Sequence, residues 1–211
     1  ISCAQSIASQ ALSVAITEFL QHYPNMAIDL SITNKAVNLI EDRIDLAIRI
    51  TNQLEPSLIA KPLSTCHSVI CAAPSFFKDK KIPTKPEDLA PLECLTSIFF
   101  GRSLWRFEKD GEPFSVLVGG RLSADESVFL AQAALNGAGI AMQPYLSVKK
   151  YLESGELLQL LPDYVPQPLG IYAVYASRQN MPTTLRAVLD FLGNWFTTSE
   201  YWQSLMQQRA T

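Results

Sequence analysis

The sequence predicts an α/β fold in two lobes with mostly parallel central sheets, and three observations predict it. Strand and helix patterns alternate from the first residues onward. Two proline-rich connections interrupt that alternation. Both halves share one local arrangement, in which a strand delivers a polar residue to the start of a helix. Parallel neighbours need a crossover connection, and helices supply it. The length of 211 residues leaves room for one large domain or two small ones.

From Gln5 to Tyr23 the apolar positions Ala8, Leu12, Ala15, Ile16, Phe19 and Tyr23 recur at helical spacing, which marks an amphipathic helix. Ser6 stands where its N-cap is expected. Pro24 and Asn25 end the helix, and Ile28, Leu30 and Ile32 then alternate with Asp29 and Ser31 as a strand with one buried face. Thr33 and Asn34 offer a second cap before a short helix, Lys35 to Asp42. Ile44, Leu46, Ile48 and Ile50 alternate as the next strand, and Leu58 to Leu63 and Ser68 to Ala73 read as two more. Lys78 to Pro91, with Pro83, Pro86 and Pro91, is the first surface connection.

After a strand beginning at Cys94, Trp105 to Glu108 and Phe114 to Val118 flank Asp110-Gly111, a strong hairpin signal. Glu126 to Asn136 reads as a helix closed by Gly137, followed by a buried strand Ile140 to Met142. A helix Leu146 to Leu152 and a strand Leu157 to Leu161 complete this part. Pro162, Pro166 and Pro168 mark the second connection. Ile171 to Tyr175 is a strand, and Leu185, Val188, Leu189, Leu192, Trp195 and Phe196 lie at helical spacing after Pro182, which suits a first turn.

Composition excludes several functions. The chain carries 17 basic against 20 acidic residues, a net charge of −3, with no basic cluster longer than Lys78, Lys80 and Lys81. Phosphate contacts need concentrated positive charge, so nucleic-acid binding by this chain alone is not expected. No apolar run reaches the roughly 18 residues of a membrane span, and no signal segment opens the chain, so a cytoplasmic location and no membrane partner are expected. The four cysteines form no C-x-x-C pair and read as buried thiols in a reducing compartment. The chain opens on Ile1 in what looks like a strand, as a fragment would. Enzyme motifs are missing: His22 and His67 are the only histidines, there is no G-x-S-x-G, and Gly137-x-Gly139 precedes a strand rather than opening a helix. No H-x-x-x-H or acidic calcium loop is present, so no catalytic residue, metal or cofactor is expected.

The opening strand with Ser6, the run Glu18-Phe19-Leu20 to Tyr23-Pro24, and Ile44-Asp45-Leu46-Ala47-Ile48-Arg49-Ile50 resemble the effector-binding domain of LysR-type transcriptional regulators, within it the CrgA-like subgroup. Ser57-Leu58-Ile59-Ala60, Cys71-Ala72-Ala73-Pro74-Ser75, Gly137-Ala138-Gly139-Ile140-Ala141, Leu161-Pro162-Asp163 and Ile171-Tyr172-Ala173-Val174-Tyr175 follow in the family's order. The resemblance covers nearly the whole chain. It implies a two-lobed periplasmic-binding-protein type II-like fold joined by two crossover strands, with a small-molecule effector bound in the interlobe cleft. Lobe I would be residues 1–71 plus 171–211 and lobe II residues 72–170. The family's N-terminal winged helix-turn-helix is absent from this chain, so DNA would be contacted only through that missing domain. The resemblance further implies a homodimer, with a tetramer open for the full-length protein. A periplasmic solute-binding protein of the same fold is the alternative. Gln5 stands where relatives often carry Pro, and Ile7-Ala8 where Gly follows the serine, which bears on the ligand the first loop holds.

Open α/β sheets bind ligands at the carboxyl ends of their strands, next to helix N-termini. Ser6, Ile7, Thr33 and Asn34 are the ligand-binding candidates of lobe I, and Ser97, Phe99, Phe100, Asp125 and Gln143 those of lobe II. Simple capping competes for Ser6, Thr33 and Asn34, and core packing for the two phenylalanines. Gln143 is the strongest of the set. Asp125 is expected to cap the following helix with its carboxylate, so an aromatic or uncharged effector fits better than a dianion.

Overall fold

The computed structural model describes residues 1–35, 37–97, 104–177, 179 and 181–207. The chain forms two compact units: unit 1 is Ile1–Cys66 with Leu169–Thr211, and unit 2 is His67–Pro168. It opens with β1 (Ser2–Cys3) and then runs helically through α1 (Gln5–Ile7), a π-helical turn Ala8–Leu12, and α2 (Ser13–His22). Within the π turn the Ser13 N–H donates to the Ala8 carbonyl, five residues back. Ala8, Ala11, Leu12, Ala15 and Phe19 are buried along this helix, as their spacing predicts.

The next segment departs from expectation. β2 is only Ser31–Ile32, with both residues exposed, because it sits at the sheet edge. Where a helix is expected over Lys35 to Asp42, the described residues form a single turn over 39–43. Asn38 Oδ1 accepts from the Ile40 and Glu41 N–H groups, and Asp42 Oδ2 accepts from the Asn38 N–H. An Asn that holds its own turn in this way competes with continued helix. β3 (Ala47–Thr51) and β4 (Ile59–Cys66) follow.

Unit 2 begins with β5 (Ser68–Ala72), two short 3₁₀ turns at Pro74–Phe77 and Pro86–Leu89, and β6 (Cys94–Ser97). β7 (Leu104–Lys109) and β8 (Glu112–Leu117) form the expected hairpin. Asp110 (φ 53°) and Gly111 (φ 83°) both take the left-handed conformation that a type I′ turn requires. β9 (Ser123–Ala124), α3 (Ser127–Leu135), β10 (Ile140–Pro144), α4 (Tyr145–Glu153), β11 (Leu158–Leu160) and β12 (Val165–Pro166) complete it. The main sheet runs β11-β5-β10-β6-β9, in which β10, β6 and β9 pair in parallel and β5 alone runs against the other four. Period-two alternation divides its residues between two cores. Ile70, Ala72, Ile140 and Met142 pack with Trp105 and Phe107 of the hairpin. Val69, Cys71, Leu95 and Ala141 pack with Leu130, Ala134 and Val148 of α3 and α4.

The chain returns to unit 1 as β13 (Leu169–Tyr175), then α5 (Thr183–Thr198) and α6 (Glu200–Gln207). The unit 1 sheet runs β2-β1-β3-β13-β4, with β2, β1 and β3 paired in parallel and β13 alone running against the other four. Val188, Leu189, Leu192, Trp195 and Phe196 are the buried stripe of α5. Trp195 Nε1 donates to Glu18 Oε2 at 2.9 Å, which ties α5 to α2. Because Ser68–Ala72 makes its ladder wholly within the second sheet, the chain passes between units at His67 rather than after residue 71. It returns at Pro168 and not after residue 170, since Leu169 and Gly170 already pair with β4.

A methyl group on Gly139 would lie 2.5 Å from the Glu93 carbonyl oxygen and 3.1 Å from Leu95, whereas one on Gly119 would meet nothing within 4 Å. Gly139→Ala should therefore cost about 1–3 kcal/mol of stability in a urea titration, and Gly119→Ala less than about 0.5 kcal/mol.

Candidate functional site

The parallel strands of unit 2 end together. The β6–β10 register pairs Leu95 with Ala141, which carries Ser97 and Gln143 to the same level two residues on. On the other side Ser97 pairs with Ala124 of β9, so Asp125 continues that row. Gln143 and Ser97 share the sheet face covered by α3 and α4, two residues beyond Ala141 and Leu95 respectively. Both are buried: Gln143 is 0% exposed and Ser97 2%.

Gln143 is the outstanding group. Neither its Oε1 nor its Nε2 has a hydrogen-bond partner among the described residues. Two hydroxyls at the same end of the sheet share this condition. Ser68 Oγ sits on the residue paired with Pro144, and Ser127 Oγ opens α3. Leaving a buried amide unpaired costs about 1–3 kcal/mol per group, so such groups are retained where something else uses them. The buried groups here, Gln143, Ser97, Ser68 and Ser127, are neutral, an amide and hydroxyls, and Asp125 at the end of the row is exposed. α3 is capped by Glu126, not by Asp125 as expected: the Glu126 side chain accepts from the Val128 N–H at 3.2 Å. The helix begins one residue later than its apolar spacing indicates, which moves the cap from Asp125 to its neighbour.

Unit 1 assembles a second group in the same manner. β1 pairs in parallel with β2 and β3, so Ser6 and Ile7 after β1, Thr33 and Asn34 after β2, and Arg49 in β3 lie toward one edge. Ser6 is not the N-cap. Ala4 holds that position without a side-chain bond, and Ser6 lies inside the first turn, where its carbonyl accepts from Ser9 Oγ. This frees its hydroxyl from the capping role that competed with ligand binding. Ile7 is 4% exposed and belongs to the core. The Thr33 N–H donates to the Cys3 carbonyl at 2.8 Å, and Thr33 Oγ1 accepts from the Lys35 N–H at 3.2 Å, so Thr33 closes a turn instead of capping a helix. Phe99 and Phe100 lie outside the described residues.

Sequence reasoning missed the pair Ser2 and Arg49. Ser2 is fully buried, and its Oγ accepts from the Arg49 guanidinium at 3.0 Å. Burial lowers the Arg49 pKa, with the neighbouring Cys3 opposing the shift. The polar Arg49 amid the Ile44 to Ile50 alternation was the available signal. Ser68 and Ser127 carried none beyond their place at element starts.

The LysR substrate binding domain family matches residues 1–197. The chain belongs to that family. It is 31% identical over 191 residues to the HTH-type transcriptional regulator DmlR of Escherichia coli (strain K12), covering 89% of this chain and 61% of DmlR. It is also 31% identical over 197 residues to the HTH-type transcriptional activator TtdR of the same strain, covering 92% and 63%. The chain thus spans about three-fifths of these relatives, both transcriptional regulators. Its fold resembles the CrgA regulatory domain from Neisseria meningitidis, with a TM-score of 0.78 at 24% identity over 92% of this chain and 96% of that one. Full-length AphB, a virulence activator of Vibrio cholerae, gives 0.77 at 25% identity over 92% and 67%. The fold class is therefore the periplasmic-binding-protein type II-like one of this family. Among the described residues no helix is long and apolar enough to cross a membrane, and no group of three His, Cys, Asp or Glu could hold a metal ion.

None of the four cysteines is joined in a disulfide, and Cys3, Cys71 and Cys94 are buried. Cys66 and Cys71 stand on separate strands, β4 and β5, of separate sheets. Burial pushes the thiol of Cys3 up to about 11 and those of Cys71 and Cys94 up to about 12. A pKa raised on folding means that stability is fully present below the ordinary thiol value of 9.0 and is lost as pH climbs toward the folded value. The urea midpoint should fall between pH 9 and about 12. Cys71→Ala should be less stable at pH 7 yet lose stability less steeply across that window.

Proposed function

We propose that this chain binds a small-molecule effector through Gln143 and its neighbours Ser97, Ser127 and Ser68 in unit 2, and that within unit 1 Ser6 and Thr33 offer a second set of polar effector contacts. The observation that carries this reading is the fully buried Gln143 amide, without a partner among the described residues, at the carboxyl end of a parallel strand. The neutral buried groups and the Glu126 carboxylate already on the α3 N-terminus favour an uncharged polar or aromatic effector over a dianion. Binding shifts the population between two states, which requires the effector to bind them with different affinity. The readout is transcription, through an N-terminal winged helix-turn-helix of the full-length cytoplasmic regulator; this chain itself performs no catalysis.

The same reading makes the chain the oligomerisation part of a homodimer. Support comes from apolar side chains left open on elements of each unit. On α3 Phe129 is 52% and Val128 38% exposed, and Leu30 and Ile32 at the β2 edge are 37% and 49% exposed. Within each unit, neighbouring apolar side chains exposed in this way mark an interaction surface.

Effectors can be found by thermal shift and their affinity then measured by calorimetry. Ser6→Ala and Gln143→Ala should each weaken binding by about 1 kcal/mol or more. Gln143→Met separates a ligand contact from a structural one: it should abolish effector binding while leaving stability equal or higher by about 1 kcal/mol, because it removes an unpaired buried amide. Unchanged affinity in both the Ser6 and Gln143 variants would remove the basis for this site. Phe129→Glu should shift the chain toward monomer in sedimentation.

A further inference from the structure

The segment after residue 197 lies beyond the stretch that matches the family, yet it packs on unit 1 through specific polar contacts. Ser199 precedes α6, and its Oγ accepts from the Trp202 N–H at 3.3 Å. At eight residues α6 is too short to hold together as an isolated helix, so its order depends on what it touches. Its anchor is Trp202, 3% exposed, which meets Phe196 edge to face at 4.9 Å and donates from Nε1 to Ser64 Oγ of β4 at 3.1 Å. That anchor directs the neighbouring side chain to one place. The Tyr201 hydroxyl donates to the Gln10 carbonyl at 3.1 Å.

Gln10 is the middle residue of the π-helical turn Ala8–Leu12. A π turn holds one more residue than an α turn, and such turns occur mostly as single insertions at functional sites. This one begins two residues after Ser6. Side-chain hydroxyls already bond back to main-chain carbonyls along the helix, Ser9 to Gln5 at 3.0 Å, Ser13 to Ser9 at 3.2 Å and Thr17 to Ser13 at 2.7 Å, a pattern that bends helices. The phenol of Tyr201 adds a bond from outside the helix, on the one turn whose winding differs from its neighbours.

We infer that α6 is a latch that keeps this turn in its π winding, and that Tyr201 is thereby a positioning residue for Ser6. If the turn rewinds to α, the residues before it rotate about the helix axis by about the 100° that one residue spans. Ser6 would then face elsewhere. This rests on the reading of Ser6 as an effector contact, but the latch can be tested without an effector.

Tyr201→Phe removes only the hydroxyl and keeps the ring. In the 211-residue chain, amide hydrogen exchange should accelerate about fivefold or more in residues 5–13 and stay unchanged in β3 and β13. In a Ser6→Cys background, the same change should alter the rate at which a thiol reagent labels position 6, with the buried native thiols as internal reference. Trp202→Ala, which releases the anchor, should reproduce both effects. Exchange that does not change, that accelerates evenly across unit 1, or that accelerates without altering labelling at position 6 would overturn the latch. Effector binding that ignores Ser6→Ala would instead defeat the reading of Ser6 as an effector contact and leave the latch result standing.

Discussion

Parallel pairing is the constraint on which the rest of this structure depends. Two parallel strands cannot be joined by a tight turn, so each must be followed by a connection that returns the chain to the far end of the sheet. Within each unit that requirement aligns three strands, β2-β1-β3 in one and β10-β6-β9 in the other, and brings their carboxyl ends to one edge. The one reversed strand of each sheet is the first that the chain forms after changing units, β5 on entering unit 2 and β13 on returning to unit 1. Polar residues just past the parallel strands collect because the topology leaves them no other place. Ser97, Asp125 and Gln143 are far apart in sequence and adjacent in register for this reason.

Burial then separates binding groups from packing groups. Ile7 stands among the unit 1 candidates yet is core, while Gln143 sits as deep as any apolar residue and still has no partner among the described residues. A hydrophobic side chain at position 143 would fit the alternation of β10 and avoid the cost of two unpaired amide atoms. Keeping the amide there is a local conflict with stability, and conflicts of that kind concentrate at functional positions.

Most of the fold was legible because its elements obey a single local rule. The Asp110-Gly111 turn dictates its hairpin through backbone geometry, and the stripes of α2 and α5 follow from apolar spacing alone. What failed was decided by competition between local options. Asn38 and Asp42 satisfy each other and the nearby N–H groups so well that a turn replaces the helix from Lys35 to Asp42. Two adjacent acids at Asp125 and Glu126 could each cap α3, and one residue of register chose Glu126. Ser6 looked like a cap because serine usually is one, but the chain turns helical a residue earlier, at Gln5. α6 was invisible because its stability comes from Trp202 in a tertiary pocket and not from its own pattern.

For the site, legibility ended at residue type. Sequence can say that a glutamine follows a buried strand; it cannot say that the amide has no partner, because that is a property of everything around it. The same limit explains Arg49, which reads as one more residue in a strand until Ser2, forty-seven positions away, is found bonded to it. A half-buried guanidinium needs acceptors, and Ser2 Oγ and the Ile48 carbonyl supply two for Arg49, so its charge is already engaged inside unit 1. Gln143 differs in having both an acceptor and a donor uncommitted. A neutral ligand group that can donate and accept together, such as a hydroxyl or an amide, complements it without bringing a charge into a buried row, whereas a carboxylate could use only the donor and would leave the acceptor oxygen facing it unpaired.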